Sequence, residues 1–219
     1  VVVDIGDHFD MHSLNTYDMS KTNRKTFDGA ALHDDIMAGR IAMDLMLGAM
    51  YDLQERQRQA KHRVYRPDMY FTVGNHEERI LRFPELKKLV AFENILDHTP
   101  FEVIPYLQPI EVEGVLFCHY FYNPLSGRPY GGSAEYRLNK IKQSFVQGHE
   151  QSFKYATEYL SNGRVIQGLV GGACYLHDEG YKGYQGNNHF RGAFMLHNVQ
   201  NGEFDLEQLS VKRILENYS

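Results

Sequence analysis

The chain has 219 residues, with 23 Lys and Arg against 28 Asp and Glu, a formal charge of −5, two cysteines and no tryptophan. That length suits one domain with a continuous core, and the acidic balance excludes a global basic field for capturing nucleic acid. A hydrophobic fraction of 42% excludes a wholly disordered polymer. No apolar run approaches the ~20 residues needed to span a bilayer, and no signal peptide is visible, so no membrane partner is expected. Cys118 and Cys174 sit in apolar, strand-like runs and read as reduced thiols of a cytoplasmic protein.

Val1-Val2-Val3 already reads as the middle of a buried strand, which runs to Ile5 and ends in Gly6-Asp7. His12 to Lys25 is polar and aperiodic, a loop. From about His33 to Gln59, Ile36, Ile41, Leu45, Met46, Ala49, Met50 and Leu53 recur at helical spacing, with Asp34 and Asp35 favourable near the start. Arg56, Arg58, Lys61, Arg63 and Arg66 crowd its end and read as a solvated helix terminus rather than a nucleic-acid patch. After Pro67, Met69 to Val73 is a second strand ending in Gly74-Asn75-His76. Glu77 to Phe83 starts a helix that Pro84 interrupts and Glu85 to Phe92 resumes.

Strands are expected at Phe101 to Ile104, Ile110 to Val112, Val115 to His119 and Ser144 to Gln147, the last leading into Gly148-His149. Tyr122 to Gly132 is a Gly/Pro/Tyr-rich loop, Glu135 to Gln143 a helix, and Phe153 to Leu160 a short amphipathic piece. Val165 to Val170, Ala193 to Val199 and Phe204 to Val211 complete the chain as strands, with Asn201-Gly202 a hairpin signal. No repeat or linker interrupts residues 1–219, so a single domain is expected.

Polar residues collect where strands end: Gly6-Asp7, Gly74-Asn75-His76, Cys118-His119 and Gly148-His149. In an open α/β sheet such ends converge on one crevice. Asp, Asn and His together make a borderline-hard donor set suited to Mn²⁺, Fe or Zn²⁺, and a preceding glycine lets backbone approach an ion closely. The ordered blocks Gly6-Asp7-His8-Phe9-Asp10, Gly74-Asn75-His76-Glu77, His119 and Gly148-His149 resemble the calcineurin-like metallophosphoesterase superfamily. The likeness spans nearly the whole chain, and two segments, Ser13 to Lys25 and Asn75 to Leu81, look most like its phage-encoded branch.

That resemblance implies an α/β fold, a four-layer αββα sandwich of two facing mixed sheets flanked by helices. It implies one or two divalent ions per chain, Mn²⁺ first, with Zn²⁺, Fe or Ni²⁺ as alternatives. Asp7 would bridge the ions, and Asn75, His119 and His149 would complete a site. His76 would serve as catalytic proton donor, oriented by Asp10, with Glu77 tying down the loop. His8 and Arg128 are the candidate substrate contacts.

Two departures bear on the same ion. The family's Asp-x-His strand does not precede Asp7, so the domain is expected to lack a first strand upstream of residue 1. Gln151 stands where a second histidine usually ligates, leaving it as a weak oxygen donor, with Glu150 as a substitute. The activity implied is hydrolysis of a phosphoester, a phosphodiester by the phage-like resemblance, which keeps nucleic acid open as substrate. The alternatives are a phosphomonoesterase and a metal-deficient relative that only binds. His12, His177, His189 and His197 read as loop or surface residues, and Gly171-Gly172-Ala173 as close packing rather than a phosphate loop.

Overall fold

Apolar and aromatic runs set the first three strands, β1 (Val2–Asp4), β2 (Met69–Thr72) and β3 (Glu102–Ile104), which pair in parallel in the order β1-β2-β3. The computed structural model that shows them describes residues 1–15, 29–87, 92–178 and 183–218. These form two compact units, Val1–Tyr106 and Leu107–Ser219, of mixed α/β class. Val2 pairs with Met69 and Asp4 with Phe71, so β1 and β2 finish side by side. Their following loops, Gly6-Asp7 and Gly74-Asn75-His76, therefore leave the same edge of the sheet. Most of the expected His12 to Lys25 loop lies outside the described residues.

The long helix α1 (Gly29–Gln59) is present, and of the residues its periodicity suggests Ile36 and Met50 pack on the core while others turn outward. Leu32, Gly39, Met43, Leu47 and Gln54 point inward, whereas Ile41, Leu45, Met46 and Leu53 are exposed. Apolar residues occupy much of the helix circumference, so spacing alone could not say which stripe meets the core. Phe9 decides it. Its ring packs directly on Gly39, where an added Cβ would lie 2.1 Å from the ring. Phe9 also meets Phe71, and Phe71 meets Phe101, edge-on at 6.4 and 6.2 Å between centroids. The expected helix after His76 is a 3₁₀ run, Glu77–Arg82, and Pro84 opens the next turn, Pro84–Lys87. A further turn spans Phe92–Ile95, and residues 88–91 lie outside the described chain.

In the second unit β4 (Ile110–Val112), β5 (Val115–Cys118), β6 (Ser144–Gln147), β7 (Phe153–Tyr159) and β8 (Val165–Gly171) form a mixed sheet in the order β4-β5-β6-β8-β7. The amphipathic piece after Phe153 is thus a strand, antiparallel to β8. β5, β6 and β8 run parallel and largely buried, which is why they read as continuous apolar runs. Helix α2 (Ala134–Ile141) is capped by Ser133, whose Oγ accepts from the Tyr136 amide, and its Ala134 and Leu138 pack with Phe145, Ile166 and Val170.

β9 (Gly192–Gln200) and β10 (Glu203–Ser210) form the hairpin signalled by Asn201-Gly202, both left-handed at φ 53° and 88°. Buried Gln167 of β8 pins it, donating to the Phe204 carbonyl at 2.9 Å and accepting from its amide at 2.7 Å. The chain does not end as a strand. Val211–Tyr218 is helix α3, started by Ser210, whose Oγ accepts from the Arg213 amide. Val211, Ile214, Leu215 and Tyr218 recur at helical spacing, a pattern that the preceding strand alternation masked. No helix among the described residues is long and apolar enough to cross a membrane.

Two glycines of α1 test the packing. Gly39→Ala should cost about 1–2 kcal/mol, because overpacking against Phe9 exceeds the gain in helix propensity. Gly48→Ala meets nothing within 4 Å and should raise stability by up to about 1 kcal/mol. Urea denaturation reads both, and equal signs for the two would contradict the packing described.

Candidate functional site

In the first unit the loops after β1 and β2 interlock through their glycines. A Cβ on Gly6 would lie 2.4 Å from the Thr72 carbonyl, and one on Gly74 would lie 2.3 Å from Asp7 Oδ1. Only glycine fits at either position. Asp7 itself takes a left-handed backbone, φ 59°, a conformation uncommon outside glycine that Asp adopts more readily than most residues. Its Oδ1 accepts from the His76 amide at 2.9 Å. Asn75 is half-buried.

Glu77 holds this arrangement. Its carboxylate accepts from the amides of Asp7 (3.0 Å), Phe9 (2.9 Å) and Gly74 (2.8 Å), and the residue is only 1% exposed. Burial, then the charge of Asp7, pushes its carboxyl up to about 7, while the amides pull the other way. Its place in Gly-Asn-His-Glu marked it as a loop anchor, but nothing in that motif told which amides it collects.

His76 and Asp10 form a pair, Nδ1 to Oδ1 at 2.9 Å, and the other ring nitrogen lies 3.8 Å from Asp7 Oδ2. The hydrogen bond from His76 holds the Asp10 carboxyl below its usual range despite partial burial. Arg79, which the sequence did not single out, supports the loop by donating to the Asp10 carbonyl at 2.8 Å and the Met11 carbonyl at 3.2 Å. It lies three residues after His76 on the 3₁₀ run, a spacing that carries no signal without the fold. His8 has both ring nitrogens engaged, 3.3 Å from Asp4 Oδ2 and 3.2 Å from the Gly39 carbonyl. Burial lowers the His8 pKa, but the Asp4 carboxylate outweighs it, leaving it above the ordinary value.

In the second unit, parallel pairing of Cys118 with Gln147 brings the ends of β5 and β6 together. The Gly148 amide donates to the His119 carbonyl at 3.0 Å, and the rings of His119 and His149 stand 5.3 Å apart and near perpendicular. Each offers a ring nitrogen, the two lying within 4.8 Å of one another. His119 is fully buried, His149 exposed, and Tyr120 packs on both rings, 5.6 and 4.7 Å between centroids. The Glu150 amide donates to the Gly148 carbonyl at 2.8 Å across His149 at φ 66°. This is a γ-turn with positive central φ, a rare and strained form that costs of order 1–3 kcal/mol.

Glu150 is not placed as a ligand, because its two carboxylate oxygens take Arg137 Nη2 and Lys154 Nζ. Gln151 follows, half-buried in the same loop. Arg128 is exposed in the Tyr122–Gly132 loop, its amide donating to Ser126 Oγ at 3.4 Å. His189 and His197 have local partners, the Gly186 carbonyl and Glu207. Cys118 is buried and its thiol pushed up to about 11 by burial, so it is inert at neutral pH.

The donors of the two units differ in kind. The first offers the Asp7 carboxylate and the second two imidazoles. Comparison of the chain with protein-family models, curated proteins and solved structures found no match.

Glu77→Ala would orphan three amide donors and is expected to destabilise the first unit by at least about 3 kcal/mol, read by chemical denaturation. For the Asp10–His76 pair, a lowered carboxyl pKa means that its stabilisation is present above the ordinary 3.8 and fades as pH falls below it. Wild type and Asp10→Asn should therefore differ most in melting temperature near pH 6, and the gap should narrow steadily as pH falls below about 3.8. A gap that stays undiminished at the acid end contradicts the assignment.

Proposed function

We propose that the chain is a metal-dependent phosphoesterase of calcineurin-like four-layer architecture that hydrolyses phosphodiesters. The observation that carries the reading is the His76–Asp10 pair at 2.9 Å, held 3.8 Å from the Asp7 carboxylate on glycine-built loops. A bare scaffold has no need of it. The left-handed backbone of Asp7 carries a cost of about 1 kcal/mol, and the contacts around it hold it in place.

On this reading Asp7, Asn75, His119 and His149 hold the cation, Mn²⁺ first, with Gln151 as a weak further donor. The bound ion supplies Lewis-acid polarisation of the phosphoester and lowers the pKa of the attacking water. Asp10 fixes the His76 ring through Nδ1 and leaves Nε2 directed to a leaving oxygen, where it delivers a proton. Glu77 keeps the Asp7 and His76 loops in register during turnover. Arg128 would contact a phosphate of the substrate, and His8, its ring nitrogens held by Asp4 and Gly39, would line the cleft beside Asp7. The two thiols, one buried and one exposed, suit a reducing, cytoplasmic compartment.

The test is Mn²⁺-dependent hydrolysis of bis-p-nitrophenyl phosphate against p-nitrophenyl phosphate. His76→Ala should lower turnover about 10²–10⁴-fold with Mn²⁺ binding retained. Asp7→Ala and His119→Ala should each abolish uptake of the same ion, read by calorimetric stoichiometry. Preference for the monoester would move the substrate class to phosphatases, and uptake without any hydrolysis would leave a binding protein.

A further inference from the structure

Arg137 is wholly buried on α2, among the apolar residues that pack this helix on its sheet. Its Nη2 and Nε reach the carbonyls of Gly132 and Gly131 at 3.4 Å, and Nη2 also engages Glu150. Nη1 is buried with no hydrogen-bond partner among the described residues. Lys154 of β7 completes the group, donating to the Gly132 carbonyl at 2.8 Å and to the second Glu150 oxygen. Two cations thus converge on one carboxylate, and that carboxylate belongs to the residue that closes the strained turn at His149.

A buried, incompletely satisfied arginine is poor value as stabilisation. Well-packed apolar residues in its place are commonly as stable or more so, whereas removing one partner strands the other charge. What the group does achieve is geometric. Glu150 cannot move without breaking both ion pairs, and its amide is the donor that holds the Gly148 carbonyl across His149. Gly148 in turn is tied to the His119 carbonyl, so the relative position of the two histidines follows from where Glu150 is held.

We propose that Arg137 and Lys154 clamp Glu150 to hold His149 in its left-handed pose beside His119, making Arg137 a positioning residue for the imidazole ligand pair. The inference rests on the metal-binding reading above and deepens it. Neither cation touches the ion or the substrate. They act through Glu150 on the backbone that carries a ligand, as outer groups around metal sites orient the inner ones.

The experiment uses the full chain with Co²⁺ as probe, read by visible absorption, and amide hydrogen exchange at Gly148 and Glu150 as a readout independent of metal. Arg137→Met with Glu150→Met replaces the ion pair by apolar side chains, so the fold and its thermal midpoint should be kept. Co²⁺ affinity should fall about 10–100-fold with an altered absorption band, and protection of the Gly148 amide should drop at least tenfold. Lys154→Arg, which keeps the charge, should remain close to wild type. A folded double variant with unchanged Co²⁺ affinity and unchanged Gly148 protection overturns the proposal. If wild type takes up no Co²⁺ or Mn²⁺, the functional reading fails and the ligand role with it. Lost Gly148 protection in the variant then still separates that failure from a failure of the clamp.

Discussion

A single buried carboxylate organises the first unit. Glu77 accepts three backbone amides from two loops that leave neighbouring parallel strands, and it does so while almost fully removed from water. A carboxylate in that position is tolerable only because the amides replace the lost solvent, and each amide would be an orphan donor without it. The left-handed aspartate, the glycines that admit it and the His76–Asp10 pair all depend on this anchor. Stability and site geometry are therefore the same interaction here, and neither can be altered alone.

The second unit reaches a comparable end by other means. Among the described residues the amides around His149 are held by backbone bonds instead. Parallel register delivers His119 and Gly148 to one edge, a direct backbone bond joins them, and the strained turn is held from outside by charged side chains on α2 and β7. The contrast follows from the strands. β5 and β6 are buried along most of their length, so their ends are already rigid and only the protruding turn needs support. β1 and β2 carry long loops and need a tie at the root.

Much of this was legible in the residues. Strand positions from β2 through β6 follow from short apolar runs punctuated by Gly, Pro and Asn, and in β2, β5 and β6 burial on both faces leaves no other use for such runs. The Asp10–His76 pair was anticipated from the motif order, and the hydrogen bond is there. The buried face of α1 was legible only at Ile36 and Met50, since Ile41, Leu45, Met46 and Leu53 are as apolar as the residues that face inward. Helix α3 was hidden by a strand alternation that runs straight into it, and a single serine cap marks the change.

By itself the sequence determined which residue types stand at strand ends and that glycine precedes Asp7, Asn75 and His149, because these are local requirements of backbone turning and donor chemistry. Tertiary structure decided what those residues do to each other. The reach of Glu77 to Phe9, the choice of Gly39 as the contact for Phe9, and the capture of Glu150 by Arg137 all join positions 13 to 68 residues apart. Such pairings follow from strand register and from the packing of α1 and α2, quantities that no local pattern encodes.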